Sequence, residues 1–275
     1  MQVKVALLAL SSACLIEYGA ARLCNPKDIS NKDVSGCECK DTKTGCSSTC
    51  TYCASDPIFE TKGVKDCKSG CTESQTNCTG CGLYFHTVCD CIKHGGCENT
   101  AAGGVIMPGP APIWIYDDHD PKDPLITTTE FLPGILQMRG SHERGWTYAQ
   151  EHYKPQSQAV FLNSARARKM EHVHIHVCRS RNAQTAKNLA DEHIQSSTSL
   201  IKTVKEPELY CLGVNHSVTI TNFAGALSNW LAKLPVETPP ICKDLVGAGI
   251  LQDTHGRTWA CASKHRKGPQ DMFCQ

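Results

Sequence analysis

Thirteen of the 19 cysteines in this 275-residue chain fall between Cys24 and Cys97. That stretch is rich in Gly, Ser, Thr, Asn and Lys and poor in large apolar residues. It cannot assemble a normal hydrophobic core, so covalent staples must replace burial. Residues 22–100 therefore read as a small cysteine-rich module. Five more cysteines follow at Cys178, Cys211, Cys242, Cys261 and Cys274, and one, Cys14, precedes the module.

Cys14 lies in a segment with the pattern of a secretory signal over residues 1–21. Lys4 starts it, Val5 to Ile16 form an apolar run, and Gly19-Ala20-Ala21 offers small residues for cleavage after Ala21. The run is short for a membrane span, and the other reading of it is an uncleaved anchor. A signal with dense cysteine usage implies an oxidising compartment, secreted or extracytoplasmic, and disulfides rather than thiols. Without Cys14, odd sets of thirteen and five cysteines remain; the simplest pairing joins the two regions by at least one bridge, and one free cysteine in each region would satisfy the same count. Cys50-Thr51-Tyr52-Cys53 and Cys78-Thr79-Gly80-Cys81 have a zinc-knuckle spacing, but in a secreted chain the reading is disulfides. Asn77-Cys78-Thr79 and Asn215-His216-Ser217 match the glycosylation pattern.

Gly103, Gly104, Pro108, Pro110 and Pro112 mark a boundary. Beyond it, residues 110–275 have ordinary globular composition. The formal net charge of +1 gives no general attraction to nucleic acid or anionic membranes. Strands are expected at Ile113–Tyr116, Pro124–Thr129 and Ala159–Asn163. A last strand pair, Val246–Gln252 and Arg257–Cys261, turns at Asp253–Gly256, with His255 a turn residue. Helices are expected over Gly145–Tyr153 with Trp146 and Ala149 facing in, over Asn182 to about Lys202, and over Asn222–Leu234 capped by Thr221 or Asn222. Asp117-Asp118-His119-Asp120 reads as a solvated acidic loop.

The chemistry concentrates in His172-Val173-His174-Ile175-His176-Val177-Cys178. On a strand, successive side chains point to opposite faces. Val173, Ile175 and Val177 would enter a core, and three imidazoles would share the other face as the floor of a site. Three readings stand. The strand is half-buried and carries histidines without chemical consequence. Or a His-x-His pair binds a metal with ligands from elsewhere; all three rings cannot converge on one ion, since His172 and His176 lie about 13 Å apart at ~3.3 Å per residue. Or a neutral imidazole, its far nitrogen held by a neighbouring ring, attacks phosphorus. The basic connection Ser164-Ala165-Arg166-Ala167-Arg168-Lys169 joins Ala159–Asn163 to this strand as an antiparallel hairpin and would attract phosphate. Arg179 and Arg181 beyond the strand either neutralise substrate phosphates or solvate its end.

His172 to Cys178 matches the histidine-triad pattern of alternating histidine and apolar residues. The longer string resembles one branch of that superfamily, the CDP-diacylglycerol pyrophosphatases. Asn163-Ser164 lies nine and eight residues before the first histidine, Arg168 four before it, and Cys178-Arg179-Ser180-Arg181 ends the strand. Lys169 stands where ordinary histidine-triad hydrolases keep serine, which favours the narrower branch. The resemblance spans about 110–262, is specific over 163–181, and has no counterpart for the cysteine-rich module.

The resemblance implies an α+β fold, a HIT-like antiparallel sheet with flanking helices on one side. It implies that His174 attacks the α-phosphorus of a nucleotide diphosphate ester, giving a nucleotidyl-histidine that water hydrolyses. His176 would bind phosphate or share protons, His172 would orient the neighbourhood, and Asn163, Ser164 and Arg168 would bind substrate. No cofactor and no metal is required. CDP-diacylglycerol would give CMP and phosphatidate, with membrane contact at most peripheral. Other readings are a secreted cysteine-rich binding protein and a metal-dependent hydrolase using His172 and His174. The sequence shows no obvious carboxylate near the triad and says nothing of oligomeric state.

Overall fold

A computed structural model describes residues 22, 24–39, 83–95, 97–99, 106–130, 132, 134–164, 172–215, 218–234, 245–264 and 268–275. The expected signal, the zinc-knuckle cysteines, Asn77, His216, Ser217, Arg166, Arg168 and Lys169 lie outside these residues.

The fold is α+β. One antiparallel sheet has the strand order β1-β2-β3-β5-β4-β8-β9-β7-β6. The strands are β1 (Glu98–Asn99), β2 (Trp114–Asp117), β3 (Leu125–Thr128), β4 (Ala159–Leu162), β5 (His174–Val177), β6 (Ile201–Lys202), β7 (Leu209–Val214), β8 (Gly247–Gln252) and β9 (Thr258–Ser263). The expected hairpin forms as β4 and β5, with Phe161 opposite His176. The late hairpin forms as β8 and β9. Its turn is held by Asp253, whose Oδ1 accepts from the amides of His255 and Arg257. Gly256 takes φ +81° there, a backbone that glycine adopts without a Cβ penalty.

Alternation along the central strands sorts residues into two cores. Val160, Leu162, Val173, Ile175, Val177 and Ile250 enter one, with Trp146 and Ala149 of α3 (Glu143–Glu151) and Phe223 and Leu227 of α5 (Phe223–Lys233). Ala159, Phe161, Leu251 and Trp259 enter the other, with Ala186 and Leu189 of α4 (Ala183–Ala190) and Met272 and Phe273 of α6 (Gln270–Phe273). Helices thus cover both faces, not one, because the central strands are apolar on both sides.

Two helix expectations need correction. The helix expected from Asn182 to about Lys202 ends at Ala190. Beyond it, side chains claim the backbone: Glu192 Oε1 accepts from the Val204 amide, and Ser196 Oγ from the amides of Thr198 and Ser199. At α5, Asn222 is the N-cap residue but its side chain does not cap. Its amide donates to the Ser197 carbonyl, and Glu143 Oε2, from α3, accepts from the Ala224 amide instead. Asp117 also departs from its expected solvated loop. It is buried at the end of β2 and accepts from the His119 amide.

The cysteine-rich region adjoins the sheet. Its helices α1 (Pro26–Ser30) and α2 (Leu83–His94) bring Ile29, Val34 and Val88 against Ile115 of β2, and β1 pairs with β2. Bridges Cys24–Cys37, Cys39–Cys89 and Cys91–Cys97 hold this region. Later, Cys178 joins Cys274 and Cys211 joins Cys261. Such disulfides belong to an oxidising, extracytoplasmic environment. Four of the five later cysteines thus pair among themselves. Cys242 and the remaining early cysteines lie outside the described residues, and so does the expected bridge between the regions. Among the described residues, no helix is long and apolar enough to cross a membrane.

Candidate active site

β5 lies between β3 and β4, so neighbouring elements reach His172 and His176, whereas His174 is held from its own segment. His172 precedes the strand and is buried, and its Nε2 donates to the Thr128 carbonyl at 2.8 Å. Burial disfavours the imidazolium and pushes His172 down to about 4, so the ring is neutral at physiological pH.

His174 is also buried, on β5. Its Nδ1 lies 2.6 Å from the carbonyl oxygen of His172. A carbonyl can only accept, so Nδ1 carries a proton, and in the neutral ring the lone pair lies on Nε2. The sequence suggested that a neighbouring ring would fix this tautomer. The main-chain carbonyl two residues back does so instead.

His176 is held on three sides. Its Nδ1 lies 2.9 Å from Asp123 Oδ1, and the Asn163 amide nitrogen lies 3.3 Å from Nε2. Phe161, directly opposite on β4, stacks on the ring at 4.5 Å with an interplanar angle of 8°. The rings of His174 and His176 meet edge-on at 5.0 Å. Asp123 is held below the usual carboxylate range, chiefly by its hydrogen bond to His176, against the opposing effect of burial.

Asp123 is a carboxylate that the sequence reading missed beside the triad. It sits three residues after a loop read as solvated and two before β3. Its pairing with His176 follows from the β3–β5 register, in which Leu125 lies opposite His176. An Asp-Pro step just before an expected strand was the sole local sign. On its other side Asp123 lines a cavity of about 270 Å³ with Thr87, Asp117, His119, Asp120 and Leu125. Thr87 belongs to α2, so the cysteine-rich region forms part of this wall.

The structure brings Asn163, His174 and His176 together. Ser164 is fully buried, two residues beyond β4. Arg179 is exposed, and its Nε donates to the Lys122 carbonyl, beside Asp123. Arg181 is spent on the fold, because its guanidinium donates to the carbonyls of Pro155 and Gln252. Among the described residues, three potential metal ligands converge only in sets that contain disulfide-bonded cysteines, and none includes a triad histidine.

These groups set one imidazole, its Nδ1 on a main-chain carbonyl, beside a second imidazole backed by a carboxylate. No family model matches the chain, and no curated protein is similar to it in sequence.

Proposed function

We propose that the chain is a secreted hydrolase of the histidine-triad type that splits the pyrophosphate bond of a nucleotide diphosphate ester, with CDP-diacylglycerol as the reference substrate. The observation that carries this reading is the hydrogen bond from His174 Nδ1 to the His172 carbonyl, which aims a lone pair from Nε2.

The Nε2 lone pair attacks the α-phosphorus, and the P–O bond to the departing phosphate breaks. That phosphate leaves with the electron pair and is a weak base, so this step needs no general acid. The intermediate carries positive charge on the His174 ring, which the His172 carbonyl stabilises through Nδ1–H. Buried, uncharged His172 adds no competing charge behind it. Asn163 lies where it can meet a phosphate oxygen, and the resemblance assigns Arg168 the same task. Water then displaces the ring and releases the nucleoside monophosphate.

Intact-protein mass after a rapid acid-free quench with CDP-diacylglycerol, in chelator, tests the reading. The wild type should carry a CMP-sized adduct and release CMP, and His174→Ala should do neither while remaining folded. Retained turnover in His174→Ala would sink the mechanism. Loss of wild-type activity in chelator would favour the metal-dependent reading. A nucleotide sugar or dinucleotide turned over in preference to the liponucleotide would move the substrate and keep the chemistry.

A further inference from the structure

We infer that Asp123 is a positioning residue for the second half of this reaction, holding His176 so that its Nε2 takes the proton of the attacking water. The inference rests on the proposed nucleotidyl-histidine mechanism and adds to it a division of labour between the two half-reactions.

The two halves make different demands on protons. In the first, the electron pair of the breaking P–O bond leaves on a phosphate that is stable as an anion. In the second, a water oxygen bonds to phosphorus and the P–Nε2 bond of His174 breaks. The electron pair of that bond returns to Nε2, Nδ1 keeps its proton on the His172 carbonyl, and one water proton must go to a base. A neutral imidazole beside the reacting ring can take it, and His176 is 5.0 Å from His174 by ring centroids.

Which nitrogen of His176 is available is decided by Asp123. Its carboxylate accepts from Nδ1–H at 2.9 Å, so in the neutral ring the lone pair lies on Nε2. The Asn163 amide meets that nitrogen at 3.3 Å, a long contact that an incoming water can replace. Phe161 stacked beneath the ring removes its remaining freedom to tilt. When Nε2 takes the proton, the adjacent Asp123 charge balances the imidazolium, as a carboxylate does behind the histidine of a hydrolytic triad. Asp123 is fitted to this because its bond to His176 holds it ionised. The proton then passes to solvent and restores the starting state.

Asp123→Asn and Asp123→Glu test the inference, with CDP-diacylglycerol as the probe and two readouts: steady-state CMP release and the fraction of chains carrying the adduct at quench. Asp123→Asn should lower turnover roughly 100-fold while the adduct fraction rises above that of wild type. Asp123→Glu, which keeps the charge, should recover much of the rate. Unchanged turnover in Asp123→Asn overturns the inference. So does a fall in turnover without a rise in adduct, because formation and breakdown would then be lost together. An absence of both adduct and nucleoside monophosphate from the wild type with CDP-diacylglycerol, a nucleotide sugar and a dinucleotide alike defeats the underlying mechanism instead, so the two failures are distinguishable.

Discussion

Two disulfides close loops of the same sequence separation in unlike regions. Cys39–Cys89 and Cys211–Cys261 each join residues 50 apart. On chain entropy alone each restricts the unfolded state by about 4 kcal/mol. Their surroundings differ. The first holds α2 in a cluster of eight buried residues, four of them half-cystines and one, Ile115, belonging to the sheet. The second joins residues already opposite each other on β7 and β9, within six paired positions. Equal cross-links therefore carry unequal shares of the structure. In the cysteine-rich region the bridge substitutes for burial, and in the sheet it supplements burial.

The largest effect that can break this comparison comes from removing each bridge. Cys39→Ala with Cys89→Ala should abolish hydrogen-exchange protection over Val88–Ile92. Cys211→Ala with Cys261→Ala should lower global unfolding stability by up to about 4 kcal/mol but leave β7–β9 protected. Persistent protection of α2 in the first variant would show that its small core suffices. A smaller effect lies in the sheet alone and depends on pH. His172 is neutral in the fold, down to about 4, whereas an exposed histidine titrates near 6.5. The unfolded chain binds the extra proton between these values, so stability is lost as pH falls through that window, by roughly 3 kcal/mol in all. Denaturant titrations at pH 7, 5.5 and 4 should show this slope in wild type and a shallower one in His172→Gln. The smallest effect tests how local a loss in the sheet region stays. Glu143→Ala removes the acceptor at the start of α5 and should cost about 1 kcal/mol, with exchange quickened at Ala224 and the strands unaffected.

The limits of the sequence reading follow from the range of the interactions involved. The strand of alternating histidines, its apolar face and its hairpin with Ala159–Asn163 were legible, because side-chain alternation and short connections are local properties. Trp146 and Ala149 were placed inside for the same reason. The overlong helix after Asn182 shows where local reasoning fails: it was expected to run to about Lys202, but within that span Ser196 Oγ holds the amides of Thr198 and Ser199. Part of the site was legible too, since Asn163 and the histidines share one hairpin.

The amino-acid order by itself determined that three histidines would be spaced along one short segment, that Val173, Ile175 and Val177 would anchor it, and that the first hundred residues would need covalent support. Only the tertiary structure decided which partner each imidazole meets. The Thr128 carbonyl, 44 residues away, holds His172, and Asp123, 53 residues away, sets the proton on His176. Strand order and register create those contacts, and a histidine's tautomer follows from the partner its ring meets, which the spacing of the residues does not specify.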